Sequence, residues 1–184
     1  MKNDSAERIT ALLQDRLNAL SDLALTLKHV HWNVVGPNFI AVHTMLDPQV
    51  EAVRAMTDEI AERIATLGGS PVGTPGALVA QRGWDDYSIG RATTLQHLAA
   101  LDVVYAGIIE AHRAAIDTTD ELDLVTQDML IGQSGQLEQF HWFVRAHLEA
   151  PDGSLATEGA RTEQGAAART TARTAKGRAK ATRK

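Results

Sequence analysis

Apolar residues recur every three or four positions through Ile9, Leu12, Leu13, Leu17, Leu20, Leu23, Leu27 and Val30, the period of a helix with one buried face. Gly36-Pro37-Asn38 stops the run, since glycine accepts the left-handed cap conformation and proline cannot continue the hydrogen-bond ladder. A second run follows at once through Phe39, Val42, Leu46, Val50, Val53, Ile60, Ile64 and Leu67, ending at Gly68-Gly69-Ser70-Pro71. Two long amphipathic helices joined by so short a turn must lie antiparallel and bury their stripes against each other. Asp4, three residues before Glu7, offers a capping signal for the first helix. Pro48 predicts a kink in the second, because it deletes one backbone donor and crowds the Thr44 carbonyl.

The rest of the chain completes an all-α reading. Residues 68–88 are rich in Gly, Pro and Asp, with one apolar piece, Ala77-Leu78-Val79 after Thr74-Pro75, that suits a short extra helix. Periodicity predicts a third helix over about 89–116 and a fourth over about 121–148, closed by Pro151 and Gly153. The linker between helices two and three outreaches either helix, so these two can run parallel through a long crossover, giving a four-helix bundle over residues 1–150. With 44% hydrophobic but only 4% aromatic residues, its core is built from Ala, Leu, Val and Ile. There is no cysteine, which excludes disulfides and thiolate sites and leaves His and carboxylates as the only metal ligands.

Charge divides the chain in two. The net charge is -5, yet Arg169, Arg173, Lys176, Arg178, Lys180, Arg183 and Lys184 form a run with no acid among them. Without those seven, 11 cations face all 23 acids, so residues 1–168 carry -12. Large apolar residues nearly vanish after Ser154, so residues 151–184 are expected to be a disordered basic tail. Seven unopposed cations can neutralise phosphates without reading bases, whereas a solubilising or membrane-attracted tail is the simpler alternative. Charged residues interrupt both the N-terminus and the apolar stretch 98–116, so neither a signal peptide nor a bilayer span is expected and the default address is the cytoplasm.

Helix two carries His43 and Asp47 four apart, then Asp58 and Glu62 four apart. At 100° per residue these fall at about 0°, 40°, 60° and 100° round the axis, on one face. Asp47 and Asp58 are separated by about 16 Å along that axis, so one chain cannot bring both pairs to one metal. A two-fold dimer in which helix two crosses its own copy antiparallel would place His43 and Asp47 of one subunit against Asp58 and Glu62 of the other, twice. His31 lies about five residues before the Gly36-Pro37 turn and His43 about six after it, so the two imidazoles reach similar heights. Imidazole and carboxylate without sulfur suit Fe(II), Zn(II) or Mn(II). A solvated face accounts for acids four apart just as well, and a lone helical histidine is usually structural.

The run His31-Trp32-Asn33-Val34-Val35-Gly36-Pro37-Asn38-Phe39, followed by His43, Asp47, Asp58 and Glu62, closely resembles the Dps family, the mini-ferritins or DNA-binding proteins from starved cells, over roughly residues 5–150. The resemblance implies a ferritin-like bundle assembled as a hollow homo-dodecamer in a cytoplasmic, nucleoid-associated setting. It implies a ferroxidase centre at the dimer interface, with His31, His43 and Asp47 from one subunit and Asp58 and Glu62 from its mate. Fe(II) would be oxidised there by hydrogen peroxide or oxygen, iron stored as Fe(III) mineral, and DNA bound without sequence preference through the seven tail cations. Trp32 would pack over the site. Asp123 and Asp128 become candidates for an iron-entry pore, although acids at a helix start are explained by its dipole alone. Glu138-x-x-His141 is the single match to the paired motif of intra-bundle di-iron sites and is read as chance, while His29, His97, His112, His141 and His147 are read as structural or surface residues. A purely structural DNA-compacting protein, with no catalysed oxidation, is the main rival.

Overall fold

The computed structural model describes residues 3–181, with side chains for residues 4–172. Helix α1 (Asn3–Asn33) runs into a two-residue strand β1 (Val34–Val35), and α2 (Phe39–Thr66) starts after the turn. Asp4 therefore lies inside the first turn of α1, where a carboxylate meets the positive end of the dipole. The turn depends on two residues in left-handed conformations, Gly36 (φ 93°) and Asn38 (φ 63°), and closes with the Phe39 amide donating to the Gly36 carbonyl at 3.1 Å. Pro48 sits within α2, which continues on both sides of it. At the far end Gly68 and Gly69 donate to the Ala65 and Ile64 carbonyls at 3.0 and 2.9 Å, the pattern of a Schellman stop. A Cβ on Gly69 would lie 2.9 Å from Ile64 Cγ2 and 3.0 Å from Thr10 Cγ2, so only glycine lets the chain pass this close to α1.

The crossover holds the expected short helix, α3 (Pro75–Gln81), and then strand β2 (Ala92–Thr93), which pairs in parallel with β1 in the register Val34–Ala92 and Val35–Thr93. Helix α4 (Thr94–Thr119) begins five residues later than its apolar period suggested, because Thr93 and Gln96 form a reciprocal capping box. Thr94 Oγ1 donates to the Pro37 carbonyl at 3.1 Å. This bond sets the starts of α2 and α4 at the same end of the bundle, so the two run parallel across the long connection. Helix α5 (Leu124–Ala146) returns antiparallel to α4 and starts at its cap, Asp123.

Leu13, Leu20, Leu27, Leu46, Val53, Ile60, Leu98, Leu101, Tyr105, Leu130 and Leu137 fill the centre from all four long helices. No described helix is long and apolar enough to cross a membrane.

The segment after Pro151 departs from expectation. Leu155 bridges back to Glu149, Thr157 is buried, and a sixth helix, α6 (Glu163–Ala181), lies on α4 with Ala166, Ala167 and Thr170 buried beneath it. Small side chains suffice because the docking is largely polar. Glu163 accepts from the Ser88 amide and hydroxyl, both at 2.6 Å; Thr157 donates to Asp102 at 2.5 Å; Gln96 donates to Thr171 at 3.3 Å. Thr162 caps the helix by accepting from the Gly165 amide at 3.1 Å.

Candidate metal centre

The last turn of α1 and the first turns of α2 bring His31 and His43 together. Their rings stack with centroids 3.5 Å apart at 24°. Each ring's Nδ1 lies 2.9 Å from the other residue's backbone carbonyl, so Nδ1–H must be the donor in both cases. That reciprocal pair fixes both tautomers. In each neutral ring the lone pair then resides on Nε2, the state in which imidazole binds a metal. Phe39 packs against His43 at 4.9 Å between ring centroids, and His31 is itself buried.

Asp47 lies beside this pair, with Oδ1 3.3 Å from His31 Nδ1 and 3.1 Å from Lys28 Nζ. The Lys28 hydrogen bond, with the nearby histidines, holds the Asp47 carboxyl below the usual carboxylate range against the opposing pull of desolvation. Asp47 is thus an anion held on the Nδ1 side of His31. Asp58 and Glu62 are exposed further along α2. Among the described residues no group of three or more His, Asp or Glu side chains converges as a metal cage within one chain. Trp32 stands 72% exposed next to His31, with the Lys28 ammonium 5.9 Å from its ring centroid.

The other singled-out residues have structural employment. His29 Nε2 donates to the Ile89 carbonyl at 2.9 Å, tying α1 to the crossover. His97 and His112 are fully buried, and burial pushes both to about 4, so they are neutral at physiological pH. Glu138 and His141 part company: Glu138 pairs with Arg113 at 2.5 Å, and His141 with Asp102 at 2.6 Å. Asp123 accepts from the Thr126 amide and hydroxyl and from Arg63, which outweigh its desolvation and hold its carboxyl below the usual range. It serves as a helix cap and ion-pair partner, whereas Asp128 remains exposed at the α2–α5 groove.

Of the seven basic residues, Arg169 donates to the Glu158 and Gly159 carbonyls and so helps seat α6. Arg173, Lys176, Arg178 and Lys180 lie in α6, and their side chains fall outside the described residues, as Arg183 and Lys184 do entirely. No spacing signal announces the Asp102–His141–Thr157 cluster, in which His141 and Thr157 lie 39 and 55 positions from Asp102.

The ferritin-like domain family matches residues 10–152. The chain is 60% identical over 167 residues to the DNA protection during starvation protein of Mycolicibacterium smegmatis, covering 91% of each chain. The solved structure of Mycobacterium smegmatis Dps superposes with a TM-score of 0.88 at 60% identity, over 90% of this chain and 95% of that one. DpsA14 from Streptomyces coelicolor superposes with a TM-score of 0.81 at 64% identity, over 82% and 90%.

Proposed function

Because the chain belongs to the Dps family of ferritin-like proteins, we propose that it oxidises Fe(II) at sites shared between two subunits, stores the Fe(III) product inside a hollow dodecamer, and binds DNA without reading its sequence. The stacked His31–His43 pair carries this reading. Both Nδ1 atoms are committed to backbone carbonyls, so the lone pair of each stacked ring is left on Nε2 for a metal. Nitrogen donors suit Fe(II), and the carboxylates of Asp58 and Glu62 from the mate would favour the harder Fe(III) as it forms. Asp47 supplies a further oxygen anion whose position Lys28 sets. The electrons leave to hydrogen peroxide or oxygen, and consuming iron and peroxide together limits radical formation near DNA. Trp32, exposed beside His31, would become covered at such an interface.

The experiment follows from the division of ligands. A His31→Ala/His43→Ala subunit and an Asp58→Asn/Glu62→Gln subunit should each oxidise Fe(II) at least about 100-fold more slowly than the parent. Co-expressed, their mixed dimers hold one intact site of the two, so oxidation should return to a sizeable fraction of the parent rate. If the mixture stays as inactive as its components, the shared-site reading is wrong.

DNA binding would draw on α6, where Arg169, Arg173, Lys176 and Lys180 follow one another at spacings of four, three and four and so share one stripe of the helix. A protein binding DNA in this way would work in the cytoplasm, with the nucleoid. Truncation after Ala172 removes the other six cations and leaves the docked base in place. It should lower the salt slope of DNA binding by up to about 5 per arm and spare iron oxidation. Unchanged DNA retardation at matched salt would assign the binding elsewhere.

A further inference from the structure

Between α1, α4, the 84–88 stretch of the crossover and the first residues of α6 lies a half-open cavity of about 490 Å³, within the range of sites that hold small organic ligands. Its walls are mostly apolar, with Ala19, Val103, Val104 and Ile108 among them. The charged groups at its rim are unequally occupied. Asp22 accepts from Arg82 at 3.1 Å and from the Trp84 indole at 2.8 Å; Asp86 is bonded to Arg82; Glu163 is held by Ser88. Arg16 differs: its Nη1 is buried and has no hydrogen-bond partner. Burial pushes this guanidinium below its ordinary range while neighbouring Asp15 opposes that shift through its charge. Arg16 lines the cavity, so an anionic acceptor there would meet an under-satisfied guanidinium.

We propose that this cavity binds a small organic monocarboxylate with an apolar body, the carboxylate accepting from Arg16 and the body lying against Val103, Val104 and Ile108. A guanidinium matches the planar carboxylate fork. Asp22, Asp85, Asp86 and Glu163 around the same space disfavour a second negative charge, which selects a monocarboxylate over a phosphate monoester. Arg16 lies fifteen residues, about 22 Å, along α1 from His31, so binding here is separable from iron chemistry. Arg161, Thr162 and Glu163 complete the wall, so an occupant would also touch the base of α6.

The test is calorimetric titration of the assembled protein with 4-phenylbutyrate, its uncharged amide, and phenyl phosphate. The acid should bind saturably and at least tenfold tighter than either comparator. Arg16→Gln should erase the preference of acid over amide. Gly107 lines the cavity, and a Cβ there meets nothing within 4 Å, so Gly107→Leu should fill the space without harming the fold and weaken the acid at least tenfold. No saturable binding of the acid, equal binding of acid and amide, phenyl phosphate binding as tightly as the acid, or unaltered binding by both variants would each overturn the proposal.

Discussion

Two corners of this molecule set a histidine against an aspartate and use the pair in opposite ways. At the α1–α2 turn, His31 and His43 hold their Nδ1 atoms against backbone carbonyls, Asp47 stays exposed at 3.3 Å, and the Nε2 atoms are left for a ligand. Where α4 meets α5, His141 donates from Nε2 to Asp102, and Thr157 takes the second carboxylate oxygen. The residue types are the same. What separates the open corner from the closed one is which atoms the fold has already used, a property of hydrogen-bond partners and not of composition.

Three measurements press on that contrast. The largest effect concerns the interior histidines. His97 and His112 sit at about 4 against an ordinary 6.5, so between these values the unfolded chain binds protons that the folded chain does not. Stability is therefore full above about pH 6.5 and falls as pH drops toward 4, by about 3 kcal/mol for each histidine. Denaturant titrations of the protein across that window should show the slope, and His112→Leu should remove about half of it. A flat profile would mean that the interior around these two histidines is not dry.

Next, Asp102→Ala strands His141 and Thr157 and should cost about 1–3 kcal/mol, with faster amide exchange over residues 155–172. Burial raises the Asp102 carboxyl, but the bonds from His141 and Thr157 more than offset this and leave it depressed, so its contribution persists above the ordinary carboxylate range and disappears only in stronger acid. The smallest effect belongs to the open corner: Asp47→Ala should change stability by less than about 0.5 kcal/mol while slowing Fe(II) oxidation. Equal destabilisation by the two alanines would erase the distinction between the corners.

The open corner was legible in the sequence because its parts are local or periodic. Gly36-Pro37-Asn38 marks the turn, His31 and His43 flank it by five and six residues, and Asp47 follows His43 by one helical turn. The bundle helices and the parallel crossover were legible for the same reason. The reciprocal Nδ1 bonds were not, since they depend on how two helix ends meet. The docked segment after Pro151 was hidden more thoroughly. Ala166, Ala167 and Thr170 leave no apolar period to see, and its fastenings to Ser88, Gln96 and Asp102 join residues 55 to 75 positions apart. Asp123 shows the reverse case, where an acid at a helix start proved to be a cap.

Helix α6 has a mechanical corollary. Nineteen residues of α-helix make a strut about 28 Å long, and its first turns are bolted to α4 over the buried Ala166 and to the crossover through Glu163 and Ser88. Cation-bearing positions along such a strut stand at set intervals, like teeth on a comb, where a loose thread would let them average over many separations. A polyanion that meets a comb surrenders less freedom to engage several teeth at once, so the spacing of the teeth, and not merely their number, becomes a selectable trait.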